Sequence, residues 1–167
     1  MNTLRFWLLT LGFDLWWTLA VWGRESVELL LVVGALLMLF FTPPERRKWV
    51  LFACALGIAM DGIWGALSLF SFSDGAGVPL WMMALWLSFS AWWLWFCSHL
   101  SLRWPWLVLL GAVGGPLAYY LGMRLDAMQL EASPWQVFST LALGWACFLP
   151  IVSLPVLRKH QTLRSLS

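Results

Sequence analysis

The sequence predicts an all-α protein, a polytopic bundle of six transmembrane helices with both termini in the cytoplasm. Three observations carry that prediction. Of 167 residues, 62% are hydrophobic and only 11% charged, against about 25% charged in a soluble domain, so most of the surface must face lipid. Six apolar segments, near 4–22, 26–41, 49–71, 79–98, 104–123 and 134–155, each reach or approach the roughly 20 residues a membrane helix needs. The cations fall unevenly between the connections.

The first segment follows Arg5 and has the outline of a signal peptide. Asp14 interrupts it, tryptophans crowd it and no small-x-small cleavage site follows, so it is expected to stay as the first span. Gly23-Arg24-Glu25 forms a tight polar turn. The second segment is the shortest and is expected to begin early, with Glu25 or Glu28 at the interface and Arg24 paired with Glu28. The Pro43-Pro44 pair stops it; Glu45-Arg46-Arg47-Lys48 prolongs the polar break and places the third helix near 49. Ser73-Asp74-Gly75-Ala76-Gly77 reads as a flexible loop, and Leu102-Arg103-Trp104-Pro105 as a short turn with proline near a helix start. The longest polar link runs over 124–134, with Asp126 and Glu131 solvated. Pro116 in the fifth segment and Pro150 and Pro155 in the sixth should bend their helices. Residues 1–167 read as a single integral-membrane domain.

With the N-terminus inside, the inner side holds Arg5, Arg46, Arg47, Lys48, Arg103, Arg158, Lys159 and Arg164; the outer loops hold only Arg24 and Arg124. That is the positive-inside pattern, and an even number of helices returns the C-terminus to the same side. The basic tail "LRKHQTLR" should lie against anionic headgroups, each charge contributing about 1 kcal/mol. A net charge of +2 from scattered cations gives no support for nucleic-acid binding.

Tryptophan is used 15 times. Trp7, Trp22, Trp49, Trp81, Trp104, Trp106 and Trp135 fall at expected interfaces, where an amphipathic ring is favoured. Trp16, Trp17, Trp64, Trp86, Trp92, Trp93 and Trp145 lie deeper and need lipid around the ring or a partner for the indole N–H. Cys54, Cys97 and Cys147 read as small buried residues rather than a disulfide framework. Cys97 and His99 form a Cys-x-His pair with no further ligand nearby, so no metal is indicated and His99 reads as a helix-end residue. Hydrolase, zincin, Walker and Rossmann motifs are absent and no cofactor is indicated.

The candidate site rests on two acids within apolar segments. An Asp at mid-membrane costs roughly 2.5–3.5 kcal/mol, which two chance residues do not explain. Thr10, Asp14 and Thr18 share one face of the first helix, with Trp17 beside them. Cys54, Gly57, Asp61, Gly65 and Ser68 share a face of the third, with Trp64 alongside. Gly111, Gly115, Ala118 and Gly122 line the fifth, a small-residue strip that admits another backbone. The simplest bundle brings these three helices together with both acids inward. Two carboxyl groups held face to face cannot both ionise, and such a pair could hold a proton or act as acid and base. The alternative is that both acids are hydrogen-bonded and simply pin the bundle. Gly114-Gly115-Pro116 reads either as a kinked packing helix or as the flexible wall of a cavity, with Tyr119 or Tyr120 turned towards it. Leu11-Gly12 with Asp14-x-x-Trp17, Leu56-Gly57 with Asp61-x-x-Trp64, and Leu110-Gly111 with Gly114-Gly115-Pro116 would fit three related hairpins.

The stretches "GFDLWW", "DGIW", "VPLWMMALWLSFS" and above all "GGPLAYYLGMRL" resemble a family of small bacterial inner-membrane proteins known as a domain of unknown function, over nearly the whole chain. The resemblance implies a multi-helix protein of the proteobacterial inner (cytoplasmic) membrane. It also implies genes often neighbouring cyclopropane-fatty-acid-synthase-like genes, which would point to lipid modification or envelope stress. It supplies no catalytic residues.

Three functions are weighed. The leading expectation is binding, transport or presentation of a lipid or hydrophobic small molecule. Asp14 and Asp61 would be its anchors, Trp17 and Trp64 its aromatic walls, and Gly114, Gly115, Pro116 and Tyr119 its flexible wall. A cationic ligand suits carboxylates beside indole faces. The others are a non-catalytic scaffold for a membrane-protein partner or a second copy, and an intramembrane lipid enzyme using the two aspartates.

Overall fold

In the computed structural model the chain forms six helices: α1 (Thr3–Gly23), α2 (Glu28–Phe41), α3 (Pro44–Ala66), α4 (Leu80–His99), α5 (Trp104–Arg124) and α6 (Pro134–Arg164). A 3-10 turn, Arg24–Val27, joins α1 to α2, and two short strands, β1 (Phe70–Phe72) and β2 (Met128–Leu130), pair antiparallel. The structure describes residues 3–164 apart from 76 and 101; the side chains of residues 5 and 158–164, with their share of the cation pattern and the basic tail, lie outside the described residues.

The third helix starts at Pro44, not near 49. Proline is compatible with the first helical turn, where its missing N–H has no partner to lose, and Glu45 then complements the helix dipole. Arg47 reaches back to the end of α2, donating through Nε to the Thr42 carbonyl at 3.0 Å and through Nη2 to the Phe40 carbonyl at 2.6 Å. So the polar run closes one helix and opens the next. At its other end α3 stops at Ala66 rather than 71, because Ser68 turns left-handed (φ 53). Ser68 N–H donates to the Gly65 carbonyl at 2.9 Å and Leu69 N–H to the Trp64 carbonyl at 3.1 Å, a Schellman ending.

α5 ends in the same way at Asp126 (φ 58), with Asp126 N–H on Met123 and Ala127 N–H on Gly122. Each ending feeds one strand of the ladder, in the register Phe70↔Leu130, Ser71↔Gln129, Phe72↔Met128. The links expected to be loops therefore tie the bundle's end together. Arg24 does not pair with Glu28; its guanidinium donates to the Asp126 carbonyl, which Ser73 Oγ–H also meets at 2.7 Å. Glu131 accepts from Ser71 Oγ at 2.6 Å.

Four helices, α3, α4, α5 and the Pro134–Leu157 part of α6, are long and apolar enough to cross a membrane. α2, with 14 residues, is about 21 Å long, short of a hydrocarbon core of about 30 Å. Neither α5 nor α6 unwinds at Pro116, Pro150 or Pro155.

α4 is the centre of the bundle, which corrects the expected junction of α1, α3 and α5. It packs along α2 and α3 and touches α1 and α6, while α5 is held by α6. Burial agrees: 56% of the apolar stretch of α4 is buried, against 28% for α5. Packing runs on tryptophan rings seated on glycines: Trp86 on Gly57, Trp145 on Gly115, Trp64 on Gly144 and Trp16 on Gly34. A side chain at any of those glycines would collide with the ring. Without a hydrophobic force between helices in lipid, such close apposition supplies the attraction.

Two deep indoles find buried partners: Trp86 (described below) and Trp93, which donates to Ser153 Oγ at 3.0 Å. The indole N–H groups of Trp16 and Trp92 have no partner among the described residues. Trp81, expected at an interface, is instead 1% exposed and donates to Asp74 at 2.7 Å. Cys54 and Cys97 are buried, but Cys147 is exposed, contrary to expectation.

Candidate functional site: a lateral aromatic groove

Along α4, Trp81, Leu85, Phe89, Trp92 and Phe96 recur at intervals of three and four, so they share one face. This stripe floors a cavity of about 440 Å³, within the roughly 300–1,000 Å³ of small-molecule sites. α1 forms one wall with Phe13, Asp14, Trp17 and Val21; α5 forms the other with Gly114, Leu117, Ala118 and Leu121. Trp145 and Leu149 of α6 complete the floor, and Phe72, Ala127 and Met128 from the ladder region line one end. α1 rests on α4 and α5 on α6; α1 and α5 approach each other at Val21 and Gly122 and otherwise make little contact. The cavity is therefore a groove with a side opening between two helices. From Trp81 to Phe96 it follows α4 for about 22 Å.

The groove is dry in character. Phe13 stacks on Trp92 with centroids 4.4 Å apart and planes at 8°, and Trp86 stacks on Trp145 at 5.3 Å and 18°. Among the described residues Asp14 is the one charged residue in the lining. It is exposed on α1, and its carboxylate has no hydrogen-bond partner among the described residues. The polar stripe expected to support it does not do so. Thr10 and Thr18 turn their hydroxyls onto their own helix, to the Phe6 carbonyl at 3.0 Å and the Asp14 carbonyl at 2.8 Å.

Asp61 is placed differently. It is 0% exposed and lies behind the groove wall. Trp86 Nε1–H donates to its Oδ2 at 2.7 Å, and the Tyr119 hydroxyl donates to its Oδ1. Both donors line the groove with their rings while their polar ends point away from it into Asp61. One carboxyl group thus joins α3, α4 and α5 and fixes two rings of the wall. The acids also differ in height: Asp14 is nine residues before the end of α1 at Gly23, and Asp61 five before the end of α3 at Ala66.

Of the residues expected to form a site, Asp14, Trp17, Gly114, Gly115 and Tyr119 meet in the groove; Asp61, Trp64 and Pro116 are not in its lining. Trp64 is buried against Gly144 and meets the Tyr119 ring edge-on at 6.0 Å. Tyr120 is 43% exposed. On the third-helix face, Cys54, Gly57 and Asp61 are buried, whereas Gly65 and Ser68 are exposed. The α4 stripe was not anticipated as a site. Its periodic aromatics were the signal, but an aromatic face in lipid is also what a packing helix presents.

Helices able to cross a membrane, joined around an aromatic groove that opens sideways, define a polytopic helical membrane protein. The chain belongs to the family described as Protein of unknown function (DUF2878), whose model matches residues 6–151. No curated protein and no solved structure matches it.

Proposed function

We propose that this protein takes up one hydrophobic chain from the surrounding bilayer into the groove, and so binds, moves or presents a lipid or other hydrophobic small molecule. The observation that carries the reading is the gap between α1 and α5, two walls that make little contact with each other over an aromatic floor. A cavity of about 440 Å³ that follows α4 for about 22 Å has the shape of one extended hydrocarbon chain. The two termini face the cytoplasm and the membrane is the bacterial inner membrane; the cation distribution supports that orientation. Asp14 and Asp61 act separately, one in the lining and one behind it, which favours binding over an acid–base pair.

The test is lipid and small-molecule mass spectrometry of the purified full chain beside Gly114→Trp. Gly114 has open space around it on the groove side, so the indole should fill the groove without disturbing the helices. A species enriched with the wild type and missing from the variant is expected. Identical bulk lipids in both would overturn the reading.

A further inference from the structure

We infer that the groove selects a single-chain amphiphile carrying an ammonium group, with Asp14 as its anchor. This rests on the groove reading above and adds the class of ligand. Among the described residues Asp14 brings the only formal charge to a lining otherwise built of aromatic and aliphatic side chains. An unpaired carboxylate beside such a surface is costly, and a cation from the ligand offsets that cost. Trp17 stands one turn along the same wall, and indole faces attract the same sign of charge. Among the described residues no Lys, Arg or His lines the groove to compete for the carboxylate or to welcome an anion.

Height decides between two sources of the amine. With Gly23, the end of α1, taken as the membrane boundary, Asp14 lies nine residues, about 14 Å along the axis, inside it, close to the depth of a leaflet of about 15 Å. The amino group of a bilayer phospholipid stays at the headgroup level and does not reach it. A single-chain amine that enters the groove whole does.

The experiment uses the full chain in phosphatidylcholine nanodiscs, with empty nanodiscs as reference. The probe is radiolabelled dodecyltrimethylammonium, competed by dodecanol and by dodecyl sulfate. The wild type should prefer the ammonium over dodecanol by about tenfold or more, the scale of a carboxylate and aromatic contact with a cation. Asp14→Asn should lose that preference and keep its affinity for dodecanol; Asp14→Glu should keep most of it. Adding phosphatidylethanolamine should leave probe binding unchanged; displacement would assign the amine to a phospholipid headgroup and overturn the single-chain assignment. Equal affinity for ammonium and dodecanol, or an unaltered preference in Asp14→Asn, would refute the inference while leaving the groove reading intact. No saturable binding of any probe, with Gly114→Trp indistinguishable from wild type, would refute the groove reading itself.

Discussion

Asp61→Ala should destabilise the protein by about 2–3 kcal/mol, and the figure follows from what the carboxylate holds. Trp86 and Tyr119 both donate to Asp61, from α4 and α5, around a fully buried carboxyl group. Removing the acceptor strands two buried donors, each costing about 1–3 kcal/mol. Hydrogen bonds in membrane bundles average nearer 0.6 kcal/mol, because the reference state in lipid also finds partners, so the sum belongs towards the lower end. Asp61→Asn should cost about 1 kcal/mol or less: its Oδ1 can accept from Trp86 and its amide can donate to a rotated Tyr119 hydroxyl. Unfolding by SDS in mixed micelles, followed by near-ultraviolet circular dichroism of the stacked Trp86–Trp145 pair, measures both. In the double variant Asp61→Ala, Trp86→Phe, the two effects should fall short of additivity by at least about 0.5 kcal/mol. An Asp61→Ala variant as stable as wild type, or strict additivity, would show that the three side chains are not one unit.

Neighbouring glycines on α5 should respond in opposite ways. Gly115→Ala pushes on the Trp145 ring and should cost about 1–3 kcal/mol by overpacking, whereas Gly114→Ala has open space and should be neutral or slightly stabilising; thermal melts in detergent compare them. Trp93→Phe removes the bond to Ser153 and should cost about 1 kcal/mol in the same assay. Arg24→Ala should loosen the ladder end, raising hydrogen exchange at residues 126–130 without altering the helices.

Much of the architecture was legible in the chain. The six helices follow from apolar runs broken by turn residues, since a backbone in lipid must satisfy its own hydrogen bonds and helices are the local way to do so. The close approach of another backbone to α5 follows from Gly111 and Gly115, though the partner is α6 rather than α1 or α3. Helix ends were harder. Ser68 and Asp126 take left-handed conformations usual for glycine, and the strands after them pair over some sixty residues of sequence.

Which faces meet was decided only by the tertiary structure. Asp14 and Asp61 carry the same Asp-x-x-Trp pattern, yet one lines an open groove and the other is sealed behind Trp86 and Tyr119. Nothing local distinguishes them, because the partners of Asp61 come from two other helices. The central role of α4 was hidden for a related reason. In lipid both faces of a helix are apolar, so the hydrophobic periodicity that marks a buried face in water carries little information. Composition determined that this chain is a helical membrane protein; the fit of tryptophan rings to glycines on other helices determined where its groove lies.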